Sequence, residues 1–159
     1  MSFGNPYLSN LSKSLIMRGV QCDKALWLYK HQKGVLTPPD DAQQALFDQG
    51  NKVGKLAHSL YPNGVEIPFS LKPFSAKFTK TTELIKDNCP NIYEGTFQHD
   101  GSMCMVDILH YTEEGWELIE VKSSTSEKDN IIYDIAVQYY IVTQSGVPVK
   151  AAKLINIDT

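Results

Sequence analysis

Three strand-like runs follow one another with almost nothing between them: Ile92 to Gln98, Ser102 to Tyr111 and Gly115 to Ser123. Turn residues separate them, Asp100-Gly101 first and Thr112-Glu113-Glu114-Gly115 second. Parallel neighbours need a crossover of a dozen residues or more, so connections this short dictate an antiparallel meander. Everything else in the chain has to pack around it.

Before the meander the period is helical. Ser12 to about Gln32 reads as one or two helices, with Leu15, Ile16, Leu26, Trp27 and Tyr29 on apolar faces and Asp23 as N-cap or first-turn acid of the second. Gly34 to Pro39 is a break. Asp40 or Asp41 caps a longer helix to about Leu60, in which Leu46, Val53, Ala57 and Leu60 recur at helical spacing. Tyr61-Pro62-Asn63-Gly64 ends it, Val65 to Pro68 reads as a short strand, and Ser75 to Asp87 as a short helix. After the meander, Asp129 or Asn130 caps a helix from Ile131 to Ser145, closed by Gly146 and Pro148, and Val149 to Ile157 is the last strand. The expected class is α/β: helix, three-strand antiparallel meander, helix, strand, with an N-terminal helical extension. Residues 1–39 form that extension and 40–159 the core, as one domain. The chain stops almost at the end of its last strand, so a fragment of a longer protein is expected.

A chain of 159 residues can bury roughly 68–70% of its unfolded surface without staples. No apolar run approaches the roughly 20 residues that span a bilayer, and Met1 to Tyr7 has no secretory pattern. Cys22, Cys89 and Cys104 form no CxxC pair, which points to free thiols in a reducing, cytoplasmic setting. The net charge is −3, but residues 1–39 carry Lys13, Arg18, Lys24, Lys30 and Lys33 against Asp23 alone. Five minus one gives +4 there and −7 across the rest, so a basic arm, with Lys13 and Arg18 near its start, is a candidate phosphate contact. Charges scattered over solvated helices are the plainer account of the same residues.

In the third run Trp116, Leu118, Glu120 and Lys122 share one face, because side chains alternate along a strand. In the second, Asp107 stands among Met103, Met105, Val106, Ile108 and Leu109. An acid in such a run needs a partner. If the connecting loop holds two or four residues, Tyr111 pairs with Trp116 and Leu109 with Leu118, and the same register sets Asp107 opposite Glu120. A three-residue loop ending in Gly115 moves Asp107 to the other face. The functional reading needs the even loop. Two carboxylates that close repel unless a cation lies between them or one takes a proton. A hard divalent ion such as Mg²⁺ suits them, and the adjoining Lys122 can orient a water or offset developing negative charge. A structural ion-pair cluster of Asp107, Lys122 and Glu120 is the competing explanation.

Asp107 is followed thirteen residues later by Glu120-Val121-Lys122 within this element order, which resembles the PD-(D/E)XK nuclease superfamily and its restriction-endonuclease-like core. Within it the chain is similar to the RecB-like branch, which includes the CRISPR-associated exonucleases. Gly54-Lys55-Leu56-Ala57-His58 matches that branch's GxxxH, and Gln138, in Asp134-Ile135-Ala136-Val137-Gln138-Tyr139-Tyr140, matches its helical glutamine. Leu11-Ser12-Lys13-Ser14 and Gln21 to Leu28 resemble its N-terminal segment. The likeness covers nearly the whole chain and is nearest to bacterial proteins in which such a domain precedes a longer one, so a C-terminal domain is an expected partner.

The resemblance implies a nuclease, exonuclease rather than endonuclease, hydrolysing DNA with Mg²⁺ or Mn²⁺ in repair, recombination or defence. It implies Asp107 and Glu120 as metal ligands, the Val121 carbonyl as a third, and Lys122 as the catalytic lysine. His58 is implied as a metal or phosphate contact and Glu94 as a further acidic ligand, with Gln138 and Tyr140 accessory. Met105-Val106 stand where the motif's proline would be, and Val142 where the branch places a tyrosine. Some relatives hold an iron–sulfur cluster, and Cys22 stands where its first cysteine would be. The other three have no counterpart, so only a longer chain could complete the site. Residues 50–56, GNKVGKL, are one residue short of a phosphate-binding loop and lack its Ser or Thr. Two other readings remain: an inactive nucleic-acid-binding or scaffold module on the same fold, and an unrelated metal-dependent hydrolase.

Overall fold

The structure, a computed structural model, describes residues 11–125 and 129–157. The opening residues Met1 to Tyr7 therefore lie outside the described residues. The elements run β1 (Leu11–Ser12), α1 (Lys13–Gln21), α2 (Asp23–His31), α3 (Asp41–His58), β2 (Val65–Glu66), α4 (Ser75–Lys86), β3 (Asn91–His99), β4 (Ser102–Thr112), β5 (Gly115–Val121), α5 (Asp129–Gln144) and β6 (Val149–Ile155), with one 3-10 turn at Lys33–Val35. They form a mixed α/β fold whose six-stranded sheet runs β2-β3-β4-β5-β6, with β1 paired to β4 off that path.

Local chemistry sets the boundaries. Ser12 caps α1 by accepting from the Leu15 N–H, and Asp40 caps α3 by accepting from the Gln43 N–H at 2.8 Å. The 13–31 stretch is two helices because Cys22 takes an extended conformation between them, leaving Asp23 in the first turn of α2. In the β3–β4 hairpin Asp100 and Gly101 both have positive φ, as a two-residue turn favours. The β4–β5 loop is also two residues long, Glu113-Glu114, with Thr112 paired to Gly115. The even loop is thus the one present, and Tyr111↔Trp116 and Leu109↔Leu118 pair as that register requires.

Some expectations need correction. The helix after the meander begins at Asp129, so Asp129 and Asn130 lie in its first turn, and its cap position falls outside the described residues. The helix expected to reach Leu60 stops at His58, and its apolar spacing does not mark a core face: only Ala57 is buried, while Leu46 and Leu60 stay exposed. The run expected to reach Ser123 ends at Val121, and the last strand ends at Ile155.

The larger core cluster gathers Ile92, Leu109, Trp116 and Leu118 from the sheet with Ile141 and Val142 of α5. A smaller one joins Tyr93, Ile108 and Ile119 to Ala57 of α3. The sheet therefore separates α5 from the end of α3. Val106 belongs to the first cluster and Ile108 to the second, although residues two apart on a regular strand share a face. The alternation breaks around Asp107. Opposite it, Glu94 adopts φ 58°, and the β3–β4 ladder skips from Tyr93↔Ile108 to Gly95↔Val106.

One edge of β4 is divided between two partners. β5 pairs with residues 108–112 and β1 pairs, in parallel, with Ser102 and Met103. Because β3 occupies the other edge along its length, β1 and β5 flank a gap on the same side. Asp107 looks out from that gap, and the first residue of α1, Lys13, enters beside it.

Candidate functional site

The β4–β5 ladder ends at Ile108↔Ile119, one step short of setting Asp107 directly across from Glu120. A side chain takes over there: Asp107 Oδ2 accepts a hydrogen bond from the Val121 N–H at 2.7 Å. Asp107 and Glu120 line one cleft of about 640 Å³, together with Lys13, Lys122, His58 and Glu94. Strand β5 presents Glu120 and, just past its end, Lys122; β4 presents Asp107, β3 Glu94, the end of α3 His58, and the start of α1 Lys13.

Glu120 is 1% exposed and fully engaged. Lys122 Nζ pairs with its Oε1, Lys13 Nζ reaches Oε1 at 3.2 Å, and Gln138 Nε2 of α5 donates to Oε2 at 2.5 Å. The same two lysines pair with Asp134 on α5: Lys13 with Oδ1 at 3.0 Å and Lys122 with Oδ2 at 2.8 Å. Two acids and two cations thus form a closed square, braced by Gln138. The ion-pair cluster read from the sequence, Asp107–Lys122–Glu120, is corrected in one corner: Asp134 stands where Asp107 was expected, and Lys13 is a second cation. Lys13 is accordingly not a free arm residue.

The electrostatics follow this division. Burial alone would push Asp134 up, but Lys13 and then Lys122 outweigh it and hold Asp134 below the usual carboxylate range. Burial works against the charged form of Lys122 and of Lys13, yet Glu120 and Asp134 raise both. Asp107 is left with a neutral donor. Burial first and the Glu120 charge second push it to about 7, against the Val121 N–H and Lys13. Glu94 is also raised, by burial and then by Glu66.

The other candidates are placed unevenly. His58 faces the cleft with its ring stacked 3.8 Å from that of Tyr93, and burial lowers its pKa despite Glu66. Tyr93 is itself anchored, donating its hydroxyl to the Tyr61 carbonyl. The Val121 N–H is committed to Asp107. Arg18 lies over the Tyr29 ring, 4.7 Å from its centroid, and opens on a separate hollow whose wall Lys13 and Lys122 share with the cleft. Tyr140 is not brought to the acids: it is exposed, with its ring edge-on to His99. Cys22 is exposed, whereas Cys89 and Cys104 are buried, the thiol of Cys104 being pushed by burial to about 12.

Asp134 is the member that sequence reading left without a role. Its signal was an acid one helical turn before Gln138 in an otherwise apolar helix, which puts both on one face. Gln138 also carries an oddity. Its Oε1 is buried and has no partner among the described residues, because both neighbouring groups are acids that take its amide hydrogens.

Among the described residues no three His, Cys, Asp or Glu side chains stand close enough to hold a metal ion together. A small hard cation does not require three. Mg²⁺ is commonly bound through one or two carboxylates and keeps several waters; Asp107 and Glu120 both line the cleft, and an ion held by the two would take the place of a lysine ammonium on the Glu120 oxygens, which Lys13, Lys122 and Gln138 occupy. Compared with known protein families and with curated proteins, the chain matches none. Among the described residues no helix is long and apolar enough to cross a membrane.

Proposed function

We propose that this domain is a divalent-metal-dependent nuclease that hydrolyses DNA phosphodiester bonds on a restriction-endonuclease-like, PD-(D/E)XK core. The observation that carries the reading is the opening of Asp107 and Glu120 into one cleft from adjacent strands, with Lys122 bonded to Glu120. Asp107 and Glu120 are the residues to hold Mg²⁺ or Mn²⁺, water completing its shell. When bound, the ion supplies Lewis acidity toward a phosphate oxygen and lowers the pKa of a coordinated water. The protein's own groups do the rest. Gln138 fixes the orientation of Glu120, a task that outer partners of a ligand usually perform. Lys13 and Lys122 present positive charge on the cleft wall, where it can meet the phosphate and offset charge developing in the transition state. Tyr93 holds the His58 ring at the cleft side, where it can contact a phosphate.

A second reading has its own support. Glu120 and Asp134 are already neutralised by Lys13 and Lys122, so the square is self-sufficient without metal, as in a nucleic-acid-binding or scaffold module. Calorimetric titration with Mn²⁺ followed by an assay on single- and double-stranded DNA separates the two. The nuclease reading predicts heat of binding and metal-dependent cleavage, both lost in Asp107→Asn. DNA binding without either favours the module.

A further inference from the structure

We propose that Lys13 and a divalent ion compete for Glu120, and that Asp134 is the positioning residue that keeps Lys13 in place once Glu120 is given to the ion. This rests on the reading of Asp107 and Glu120 as the ion's ligands, and adds how the chain's own cation gates that site. Of the two lysines on Glu120, Lys13 is the one in the ion's way. Its Nζ lies 3.2 Å from Oε1 and 3.4 Å from Oε2, so both carboxylate oxygens share it, whereas Lys122 bonds to Oε1. Lys13 is also the lysine whose charge offsets the upward push on Asp107. It therefore serves the same two acids that an ion held between them would serve. Nothing in α1 calls for it there. Lys13 is the first residue of that helix, whose first turn carries no acid, and a cation at a helix N-terminus opposes the dipole.

An ammonium and a divalent ion on one carboxylate repel each other, so Glu120 can serve the ion only if Lys13 gives way. Asp134 gives it somewhere to go. Asp134 Oδ1 already takes Lys13 at 3.0 Å, and Oδ2 takes Lys122 at 2.8 Å. The two acids also stand on different sides of the square. Glu120 lines the cleft, whereas Asp134 lines the neighbouring hollow of about 410 Å³, and Lys13 lines both. An ammonium that releases Glu120 and keeps Asp134 thus turns out of the cleft without losing its ion pair. That exchange replaces one partner by the ion and leaves no part-buried charge alone, the outcome that makes broken pairs costly. Lys122 stays bonded on the cleft wall through the same acid.

The test is calorimetric titration with Mn²⁺ of wild type, Lys13→Met, Asp134→Asn and the double variant. Lys13→Met should tighten Mn²⁺ binding about ten-fold, within the usual range of coupling between two sites. Asp134→Asn should weaken it about ten-fold, the lower end of what losing an outer partner costs. In the Lys13→Met background Asp134→Asn should change the affinity little, because the lysine it acts through is gone. An acid acting only through its own distant charge would have the same effect with and without Lys13. Equal effects in the two backgrounds overturn the inference, and so does Lys13→Met that leaves binding unchanged or weaker, whether or not Asp134→Asn folds. A metal-free readout comes from nitrogen-15 spectra of the lysine ammonium groups in chelator. Glu120→Gln removes the rival charge, and Lys13 should keep its signal there, held by Asp134; its loss by exchange with water in Glu120→Gln alone also overturns the inference. The two readings fail separately. Mn²⁺ uptake with equal effects removes this one alone, whereas no uptake by any of these proteins removes the metal reading and this one with it.

Discussion

Asp107 accepts its hydrogen bond from the backbone N–H of Val121, the residue directly after Glu120, at 2.7 Å. The two acids of the cleft are thereby tied to one another through one peptide unit, yet they are served unequally. Glu120 has two ammonium groups and an amide, whereas Asp107 has an uncharged donor and the Glu120 charge nearby. Neutrality around Glu120 is complete without metal; around Asp107 it is not.

That inequality makes a pH prediction. The folded-state pKa of Asp107, about 7, lies above that of an unfolded aspartate. A carboxyl raised in this way favours the fold when protonated, so its contribution is greatest below the unfolded value and is lost as pH rises toward 7. Metal-free wild type should therefore lose stability relative to Asp107→Asn between about pH 4 and 7, by roughly 2–4 kcal/mol. Thermal melts of both proteins in chelator across that range check it. Parallel pH profiles would mean that Asp107 is not held out of its normal range.

Removing a corner of the ion square should behave differently. Lys122→Ala leaves Glu120 and Asp134 sharing Lys13, and should cost about 1–3 kcal/mol, less than a fully buried pair because the lysine is part-exposed. Combining it with Asp134→Asn should recover part of that loss, since an uncompensated charge is removed. A denaturant double-mutant cycle measures the coupling. By the proposed mechanism Lys122→Ala retains Mn²⁺ binding while cleavage falls, which calorimetry and a DNA assay resolve.

Gln138 should matter to the ion more than its distance suggests. Gln138→Met keeps the volume and removes the unpartnered Oε1, but deletes the donor to Glu120. A modest stability loss of about 1 kcal/mol should accompany a 10–100-fold drop in Mn²⁺ affinity, about the usual cost of losing an outer partner of a ligand. Unchanged affinity would make Gln138 a packing residue only.

The wall beneath His58 has a steric test. A Cβ on Gly64 would lie 2.2 Å from Tyr93 Cζ, so Gly64→Ala must displace the ring on which His58 stacks. Overpacking of this kind costs about 1–3 kcal/mol or more. The expected outcome is a lower melting midpoint, together with altered chemical shifts for the His58 ring.

The meander was legible because short turns leave antiparallel pairing as the only option, but Thr112-Glu113-Glu114-Gly115 left the loop length open, and it is the two-residue turn of the fold that sets which residues face each other. The neighbourhood of Glu120, Lys122 and Gln138 could be read from strand alternation and from the motif it resembles. Three features could not. Leu11–Ser12 is too short to show a strand period, yet its pairing with β4 carries Lys13 to Glu120 across 107 positions of sequence. The break in alternation around Asp107 depends on Glu94 at positive φ, a conformation its sequence does not announce. Lys77 lies on the helix expected from Ser75 to Asp87, and nothing in that stretch announces that the 67–74 connection closes two rings, Phe69 and Phe74, over it. The apolar face of α3 is the converse: helical spacing reports what could be buried, but only Ala57 is buried there, and the helix touches little of the sheet beyond β5.

If Asp107 and Glu120 hold a divalent ion, the melting midpoint must respond to millimolar Mn²⁺. A ligand that binds only the folded state at a hundred times its dissociation constant stabilises by about 2.7 kcal/mol, which for a domain of this size is a rise of roughly 5–10 °C. Wild type should show that rise, and Asp107→Asn and Glu120→Gln should not, while both variants still melt cooperatively in chelator. Identical midpoints for wild type with and without Mn²⁺, or an equal rise in wild type and Asp107→Asn, would contradict the account.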